Sequence, residues 1–307
     1  MKKILITGAA GFIGSSLANK IPDINKLILV DDLSQGKISN LNKNLRAKLI
    51  KKPIEDLSLK LFKDVECIIH LAAQSVVRFS VINFFKSSKK NLNSSLYVFE
   101  IARKYKVPVI YASSSAIYGN YSFGSDSLPS DTSILSPYAQ DKLTMEEYAK
   151  TVNEVFGVSS VGLRFFNVYG PNQKENNPYS GVIPIFLNRA KKNKIIKING
   201  GHQTRDFIFV GDVIKIILLL KKKMMREKNF QDVFNVCTGK SISINSLYKM
   251  IIKILGSKSK KRYNELSKND PIKSSGSNNK ILKYLKLKHN FSTKFNEGLK
   301  KTIKANK

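Results

Sequence analysis

Short β-rich runs alternate with longer helical patterns through the first half of the chain. The β-rich runs are apolar and cover residues 4–6, 27–30, 65–71, 107–111 and 158–163. The helical patterns between them cover residues 12–20, 83–105 and 136–156. Alternation of this kind predicts βαβ crossovers and a parallel sheet that is covered by helices on both faces. We therefore predict an α/β fold built on a doubly wound parallel sheet.

The composition of the sequence changes after residue 165. A stretch rich in Gly, Pro and Asn follows, and short helices and strands come after it. Residues 206–237 again have the pattern strand, helix, strand, and we expect them to return to the first sheet. The predicted domains are residues 1–165 together with 206–237, and a smaller C-terminal α/β domain formed by residues 166–205 and 238–307.

Composition matters because the chain is strongly basic. Among its 307 residues, 53 are Lys or Arg and 22 are Asp or Glu, which gives a formal net charge of +31. Such a charge is typical of nucleic-acid-binding proteins. However, 45 of the basic residues are Lys and only eight are Arg, and they are spread along the whole chain. Because base readout relies on Arg and on clustered charge, we expect a solvated basic surface without a specific nucleic-acid site.

The cysteine, histidine and hydropathy patterns exclude further classes. Cys67 and Cys237 stand 170 residues apart, and the three His residues show no ligand spacing. We therefore expect neither a disulfide scaffold nor a metal site. The apolar run 213–220 is interrupted by Lys215, and it is much shorter than the roughly 20 residues that a membrane span needs. These features predict a globular cytoplasmic protein that does not insert into a membrane.

A GxxGxxG loop follows the first predicted strand and opens the first predicted helix. Its residues include Gly8, Gly11, Phe12, Ile13 and Gly14. Glycines allow a tight turn and a close backbone approach to a pyrophosphate, and the helix N-terminus offers amide donors. The next predicted strand ends at Asp31, where a carboxylate can accept both hydroxyls of an adenosine ribose. We therefore predict a Rossmann domain that binds NAD, and not NADP, because no Arg follows Asp31.

A YxxxK pair stands at the start of the helix predicted over 136–156. Tyr138 and Lys142 are four residues apart, so their side chains share one helix face. The pKa of a free tyrosine is about 10, and we expect Lys142 and the nicotinamide charge to lower the pKa of Tyr138. A serine cluster, 113–115, ends the preceding predicted strand, and its hydroxyls are expected at the same crevice as the cofactor.

With these motifs the sequence resembles the extended short-chain dehydrogenases/reductases, and within them the NAD-dependent UDP-glucose/UDP-N-acetylglucosamine 4-epimerases. The resemblance covers nearly the whole chain. It also rests on residues 70–74, Asn91, 113–119, 164–171, 179–184, 198–201 and 204–207.

The resemblance implies a reaction at C4 of a UDP-sugar. Tyr138 as phenolate would remove the proton of the C4 hydroxyl while a hydride passes from C4 to NAD. Ser114 would hold that oxygen, and Lys142 would grip the nicotinamide ribose. Rotation of the 4-keto sugar and return of the hydride would then invert C4. Ser114, Tyr138 and Lys142 are thus the implied catalytic residues.

The same resemblance implies further binding residues and a partner. Besides the glycine loop, Asp31, Tyr138 and Lys142, the residues implied at NAD are Ile54, Leu71, Ala72 and Asn91. The residues implied at the UDP-sugar are Ser114, Asn167, Val182, Asn199, Arg205 and Ser274. A homodimer is implied through the helices 83–105 and 136–156, because two such helices pair with those of a second subunit in the family.

Several positions depart from the family pattern. Family members that are 4,6-dehydratases carry an acidic pair after the active-site hydroxyl residue, and here Ser115 and Ala116 stand there, which favours chemistry at C4 alone. Pro53 replaces the Asp that precedes Ile54 near the adenine, so one adenine hydrogen bond is expected to be missing. The Arg that clamps the diphosphate aligns with Ser267, and Lys268 or Arg262 would have to substitute for it.

Ser274 occupies a position at which the family has either a bulky Tyr or a small residue. A small side chain leaves room for an N-acetyl group at C2. We therefore expect the protein to accept UDP-GlcNAc and UDP-GalNAc besides, or ahead of, UDP-Glc and UDP-Gal.

The leading hypothesis is an isomerase that epimerises a UDP-hexose or UDP-N-acetylhexosamine at C4 and supplies nucleotide sugars for polysaccharide synthesis. The second hypothesis keeps the fold but ends in the product of a 4,6-dehydratase, a decarboxylase or a keto-reductase. The third is a non-catalytic Rossmann scaffold whose basic surface binds nucleic acid.

Overall fold

A computed structural model of the chain describes residues 1–127, 132–173, 181–266 and 271–305. The chain divides into two compact units. Unit 1 comprises Met1–Ile117, Ser136–Arg164 and Ile214–Phe234. Unit 2 comprises Tyr118–Leu135, Phe165–Val213 and Asn235–Lys307. The predicted domain limits remain a prediction; the units differ from them mainly in that residues 118–135 group with unit 2.

The strands and helices follow one another along the chain as the periodicity leads one to expect. The strands are β1 (Lys3–Thr7), β2 (Leu27–Val30), β3 (Leu49–Ile50), β4 (Val65–His70), β5 (Val109–Ser114), β6 (Phe123–Gly124), β7 (Ser160–Phe165), β8 (Asn167–Tyr169), β9 (Ile196–Asn199), β10 (Thr204–Phe209), β11 (Gln231–Val236), β12 (Ser241–Ser243), β13 (Lys261–Asn264) and β14 (Lys273–Gly276). The helices are α1 (Phe12–Ala18), α2 (Lys43–Arg46), α3 (Val77–Ile82), α4 (Phe84–Tyr105), α5 (Pro137–Phe156), α6 (Val182–Lys191), α7 (Val210–Met224), α8 (Ile244–Leu255), α9 (Asn279–Leu285) and α10 (Phe295–Ala305).

The main sheet has seven strands in the order β11-β7-β5-β4-β1-β2-β3. β1 pairs in parallel with β2 on one side and with β4 on the other. The chain therefore runs outward to β3 and then crosses back to β4, so the strand order reverses next to β1. Ligands of doubly wound sheets bind at such a switch point, beyond the carboxyl ends of the strands. The predicted α/β fold with a doubly wound parallel sheet is confirmed.

The core of unit 1 lies between this sheet and its helices. Leu5, Ile68 and Val109 contribute from three strands, and Val98 and Met145 contribute from α4 and α5. The strands read as nearly continuous apolar runs because both faces of the sheet are buried. Helix α5 begins at Pro137, a favoured first residue, after Ser136, whose side chain accepts a hydrogen bond from the amide of Ala139.

Unit 2 contains two smaller sheets with helices packed on them. One sheet has the order β12-β10-β14-β6, and β8 pairs with β10; the other pairs β13 with β9. The core of unit 2 is a separate apolar cluster that includes Tyr169, Phe186, Ile198, Leu247 and Leu299. The structure thus confirms a second, smaller α/β part.

Two absences hold for the described part of the chain. No helix there is both long enough and apolar enough to cross a membrane. Within the same ranges, no group of three or more His, Cys, Asp or Glu side chains is placed to hold a metal ion.

The core of unit 1 can be tested at two neighbouring residues. Phe62 is 0% exposed and lies in the apolar cluster, whereas Leu61 beside it is 42% exposed. We expect Phe62→Ala to lower the free energy of unfolding by about 3–5 kcal/mol, because it removes buried apolar surface and leaves a cavity. Leu61→Ala is the matched control and should cost less than about 1 kcal/mol. Chemical denaturation measures both, and equal losses would contradict this account of the core.

Candidate active site

The glycine loop follows β1 and runs directly against the end of β4. Gly8 has a φ of +66°, and a Cβ on it would lie 2.7 Å from the amide nitrogen of Ala72. A Cβ on Gly14 would lie 2.1 Å from the carbonyl oxygen of Gly8. Only glycine fits at either position, because any side chain would displace backbone. The turn therefore brings its own backbone and the start of α1 close together, as a bound dinucleotide diphosphate requires.

Thr7 and His70 join the carboxyl ends of β1 and β4. They are register partners in the sheet, and the Thr7 hydroxyl is 2.7 Å from Nδ1 of His70. The same hydroxyl accepts a hydrogen bond from the amide of Ala72 at 3.2 Å, and the amide of Leu71 donates to the Thr7 carbonyl. Burial lowers the pKa of His70 to about 3, so its ring is neutral. Leu71 and Ala72, both predicted at the cofactor, are thus held beside Gly8.

Asp31 stands just after β2, within reach of the glycine loop. Its Oδ2 accepts from the amide of Ala10 at 2.9 Å and its Oδ1 from the amide of Leu33 at 2.8 Å. Each oxygen keeps a lone pair that a ribose hydroxyl can use. Burial raises the pKa of Asp31, although both amides oppose that effect. The neighbouring Asp32 forms a salt bridge with Lys90.

Ser114, Tyr138 and Lys142 come together at the carboxyl end of β5. Ser114 is the last residue of β5, and Tyr138 is the second residue of α5. The Ser114 side chain acts on the phenol of Tyr138 and favours its ionised form. Nζ of Lys142 lies 5.9 Å from the centroid of the Tyr138 ring and donates to the carbonyl of Ala112 at 2.6 Å. The three predicted catalytic side chains therefore form one cluster in unit 1.

The electrostatics of this cluster act on both Tyr138 and Lys142. Burial raises the pKa of Tyr138, the hydrogen bond from Ser114 opposes this, and the charge of Asp141 adds to it. The net direction in the protein alone is upward because loss of hydration is the largest effect, and the expected lowering by Lys142 together with the nicotinamide charge stays a prediction. Burial also lowers the pKa of Lys142 to about 8, and the carboxylates of Asp141 and Glu146 oppose that shift.

A buried ion pair that none of the sequence motifs indicates lies one helical turn beyond Lys142. Glu146 accepts from Nε of Arg164 at 3.0 Å and from Nη2 at 2.8 Å. Ser113 donates its hydroxyl to the same carboxylate. Tyr138, Lys142 and Glu146 are spaced four residues apart, so they share one face of the helix. This spacing could have indicated from the sequence that Glu146 lies near Lys142. The pair links α5 to β5 and β7 beneath the catalytic side chains.

Asn91 connects the segment after β4 to α5. Its Oδ1 accepts from the amide of Gln74 at 2.7 Å, and its Nδ2 donates to the Gln74 carbonyl and, at 2.9 Å, to Asp141. Both amide protons are thereby used within the protein. Ser80 on α3 accepts a hydrogen bond from the amide of Tyr138 at 3.1 Å.

Ile54, which is predicted at the adenine, packs into the core of unit 1.

In unit 2, three of the predicted substrate residues lie on neighbouring strands. Arg205 on β10 is the register partner of Ser274 on β14. Asn167 on β8 faces Phe207 of β10 in register, and its Nδ2 donates to the Asp206 carbonyl at 3.2 Å. The sequence separates these residues by up to 107 positions (274 − 167), and the sheet brings them together.

The other two predicted substrate residues occupy separate elements of unit 2. Val182 is the first residue of α6, and Asn199 is the last of β9. Asn199 accepts a hydrogen bond from Nδ2 of Asn264 on β13 at 3.2 Å. The predictions on Tyr179 and on residues 267–270, including the replaced clamp at Ser267, lie outside the described residues.

The comparisons with known proteins agree with one another. A family model described as "NAD dependent epimerase/dehydratase family" matches residues 4–237. A relative from Methanocaldococcus jannaschii, whose name provisionally assigns it as a UDP-glucose 4-epimerase, is 39% identical over 259 residues, which is 81% of either chain.

Two solved structures match almost the entire chain. A UDP-N-acetylglucosamine 4-epimerase from Methanobrevibacter ruminantium is 34% identical, with a TM-score of 0.89 over 99% of this chain and 98% of that one. A UDP-glucose 4-epimerase from Thermotoga maritima is 32% identical, with a TM-score of 0.88 over the same shares. Since the family model covers well over half of the chain and the residues of unit 1 fit a bound dinucleotide, the protein is a member of the NAD-dependent epimerase/dehydratase family.

Proposed function

We propose that the protein is an NAD-dependent isomerase that epimerises a UDP-hexose or UDP-N-acetylhexosamine at C4. The observation that carries this proposal is the cluster of Ser114, Tyr138 and Lys142 at the carboxyl end of β5. Similarity to two UDP-sugar 4-epimerases over 99% of the chain supports it.

The reaction divides naturally between proton and hydride transfer. Bound NAD would supply the acceptor and the donor for the hydride at C4. Tyr138 takes the proton of the C4 hydroxyl, and Ser114 stabilises the phenolate through its hydrogen bond. Because burial raises the pKa of Tyr138, its phenol form is favoured, and this is the form that returns a proton to the 4-keto oxygen. Lys142, fixed by the Ala112 carbonyl, binds the nicotinamide ribose.

Unit 1 is the proposed NAD-binding domain. Gly8, Gly11 and Gly14, with Phe12 and Ile13 at the start of α1, would hold the diphosphate, and Asp31 would accept the adenosine ribose hydroxyls. Leu71 and Ala72 lie against Gly8 and would contact the cofactor from the end of β4. Asn91 would act through the segment at Gln74 that it holds. Ile54, which packs into the core of unit 1, would line the adenine side from that position.

Unit 2 is the proposed substrate domain. Arg205 would form charge-assisted hydrogen bonds with the diphosphate, and Asn167, Val182 and Asn199 would hold the rest of the UDP portion. Ser274 is the register partner of Arg205, so a small side chain stands beside the proposed diphosphate ligand. This arrangement supports acceptance of an N-acetyl group at C2.

Epimerisation is favoured over the other reactions of the family. Ser115 and Ala116 follow Ser114, and neither side chain can act as the acid or base that elimination of water across C5 and C6 needs.

We propose further that the enzyme works in the cytoplasm and supplies sugars for polysaccharide synthesis. Its two cysteines are free and buried, which suits a reducing compartment.

A product assay tests the function directly. Purified protein with bound NAD should interconvert UDP-GlcNAc with UDP-GalNAc, or UDP-Glc with UDP-Gal, without added reductant. Chromatography separates the isomers, and mass spectrometry should find the product mass unchanged. No isomer from any of the four sugars would contradict the proposal, and a product lighter by one water or one carbon dioxide would favour a dehydratase or a decarboxylase.

The role of Tyr138 is tested by removing only its hydroxyl. We expect Tyr138→Phe to reduce kcat at least about 100-fold, because the proton acceptor at C4 is lost. Tyr148→Phe is the matched control: Tyr148 lies on the same helix, is exposed, and should keep full activity. Circular dichroism should show the same fold for both. Activity of Tyr138→Phe within a factor of two of wild type would exclude Tyr138 as the acid and base.

We propose a homodimer that pairs α4 and α5 with their counterparts in a second chain. Phe85 and Leu96 on α4 and Val155 on α5 are large, apolar and exposed in the single chain. Light scattering should give twice the mass of one chain, and Leu96→Glu should shift the population toward monomer because it would bury a charge. Ile195→Glu, at an exposed apolar residue of unit 2, should leave the dimer intact. A monomeric wild type would contradict the proposal.

A further inference from the structure

Two buried carboxylates on α5 flank Lys142, and they differ in how their charge is balanced. Asp141 and Glu146 are each 5% exposed. Glu146 is paired with the guanidinium of Arg164 through two hydrogen bonds. Asp141 accepts a hydrogen bond from the uncharged amide of Asn91. Within residues 1–127, 132–173, 181–266 and 271–305, the Asp141 carboxylate forms no salt bridge.

The position of Asp141 is fixed by its surroundings. Asn91 is itself held by two hydrogen bonds with the backbone of Gln74, so its Nδ2 is oriented toward Asp141. Asp141 is also adjacent in the chain to Lys142, and one helical turn separates Lys142 from Tyr138. Burying a carboxylate costs free energy unless hydrogen bonds or an opposite charge compensate it. The neighbour of Asp141 on α5 that carries the opposite charge is Lys142, which is 4% exposed.

We propose that Asp141 is a positioning residue for the epimerase, whose buried carboxylate keeps Lys142 an ammonium ion and returns Tyr138 to its phenol form. The inference rests on the proposed function for the roles of Lys142 and Tyr138. Asp141 itself does not touch the reacting atoms in this scheme; it acts on both catalytic groups through its charge.

The neighbouring charges support this assignment. Burial lowers the pKa of Lys142 to about 8 even though the charges of Asp141 and Glu146 oppose the shift, and Asp141 is the larger of these two charges. Asp141 is also the charge that raises the pKa of Tyr138. Glu146 acts on Lys142 too, but Arg164 on β7 balances it. His70 on β4 also lies near Lys142, but its ring is neutral and adds no charge there.

The remaining cations near these helices do not take over the role of Asp141. Lys90 on α4 is paired with Asp32, and Arg78 on α3 is exposed. Removal of the Asp141 charge should therefore leave Lys142 easier to deprotonate and Tyr138 easier to ionise. Both pKa values should fall, and the pH range of activity should move as a whole toward acid.

Asp141→Asn tests this with little change in shape, because the new amide oxygen can still accept from Asn91. We expect both limbs of the kcat profile against pH to move about half to one pH unit toward acid, the size expected for one nearby charge. Near pH 9 the activity should fall about three- to ten-fold. Asp141→Glu, which keeps the charge, should restore most of the alkaline limb. Glu147→Gln is the matched control, since Glu147 is exposed on the same helix and its charge is screened.

A second measurement does not depend on turnover. The ultraviolet absorbance of tyrosinate is titrated in the holoenzyme, and the signal of Tyr138 is the difference between each protein and its Tyr138→Phe counterpart. The midpoint should be lower in Asp141→Asn than in wild type or in Glu147→Gln. Asp141→Ser gives a second neutral side chain if the Asn variant folds poorly.

Coincident midpoints and unshifted pH limbs in a folded Asp141→Asn protein would overturn the inference. A uniform loss of activity at every pH, with an unchanged tyrosinate midpoint, would also overturn it, because that result indicates a structural role only. If wild type forms no isomer from any UDP-sugar, the proposed function fails, and the tyrosinate midpoints still decide whether Asp141 controls Tyr138.

Discussion

The burial of one face of α5 against the carboxyl ends of β5 and β7 is the constraint on which the proposed catalytic cluster depends. This face carries an ammonium and two carboxylates into the interior of unit 1, where unpaired charge is costly. The Lys142 ammonium is held by the Ala112 carbonyl, and Glu146 is matched by Arg164 and Ser113. Removing one partner of such a pair costs about 3–5 kcal/mol. The helix therefore has little freedom to slide or rotate, and Tyr138 stays beside Ser114.

The cofactor side of unit 1 is organised by close backbone packing. Gly8 and Gly14 leave no room for a side chain, and the end of β4 lies directly against Gly8. This contact is possible because β1 and β4 are neighbours at the point where the strand order reverses. The same edge of the sheet carries Ser114 at the end of β5. One sheet edge thus presents both the glycine loop of the NAD-dependent family and the groups proposed for proton transfer.

Burial has opposite effects on the pKa values of Tyr138 and Lys142, the two titrating groups of the proposed catalytic cluster. It raises the pKa of Tyr138 and lowers that of Lys142, since in each case the neutral form is favoured. The carboxylates of Asp141 and Glu146 oppose the lowering of the Lys142 pKa, and the carboxylate of Asp141 adds to the raising of the Tyr138 pKa. The protein itself therefore favours a phenol at Tyr138 beside an ammonium at Lys142, and the Ser114 side chain is the neighbour that favours the ionised form of Tyr138. In unit 2, strand register places Arg205 beside Ser274.

Local patterns in the sequence determined much of this protein. The alternation of strand and helix predicted the α/β fold correctly. The glycine turn after β1, Asp31 after β2 and the Tyr138/Lys142 pair could be located in the sequence because each depends on residues close together in the chain, and their roles stay predictions. The tertiary structure alone decided which distant groups meet: Asn91 with Asp141, Ser113 and Arg164 with Glu146, and Arg205 with Ser274. It also decided the direction of the pKa shift of Tyr138, because that direction depends on burial, and burial is a property of the packed fold.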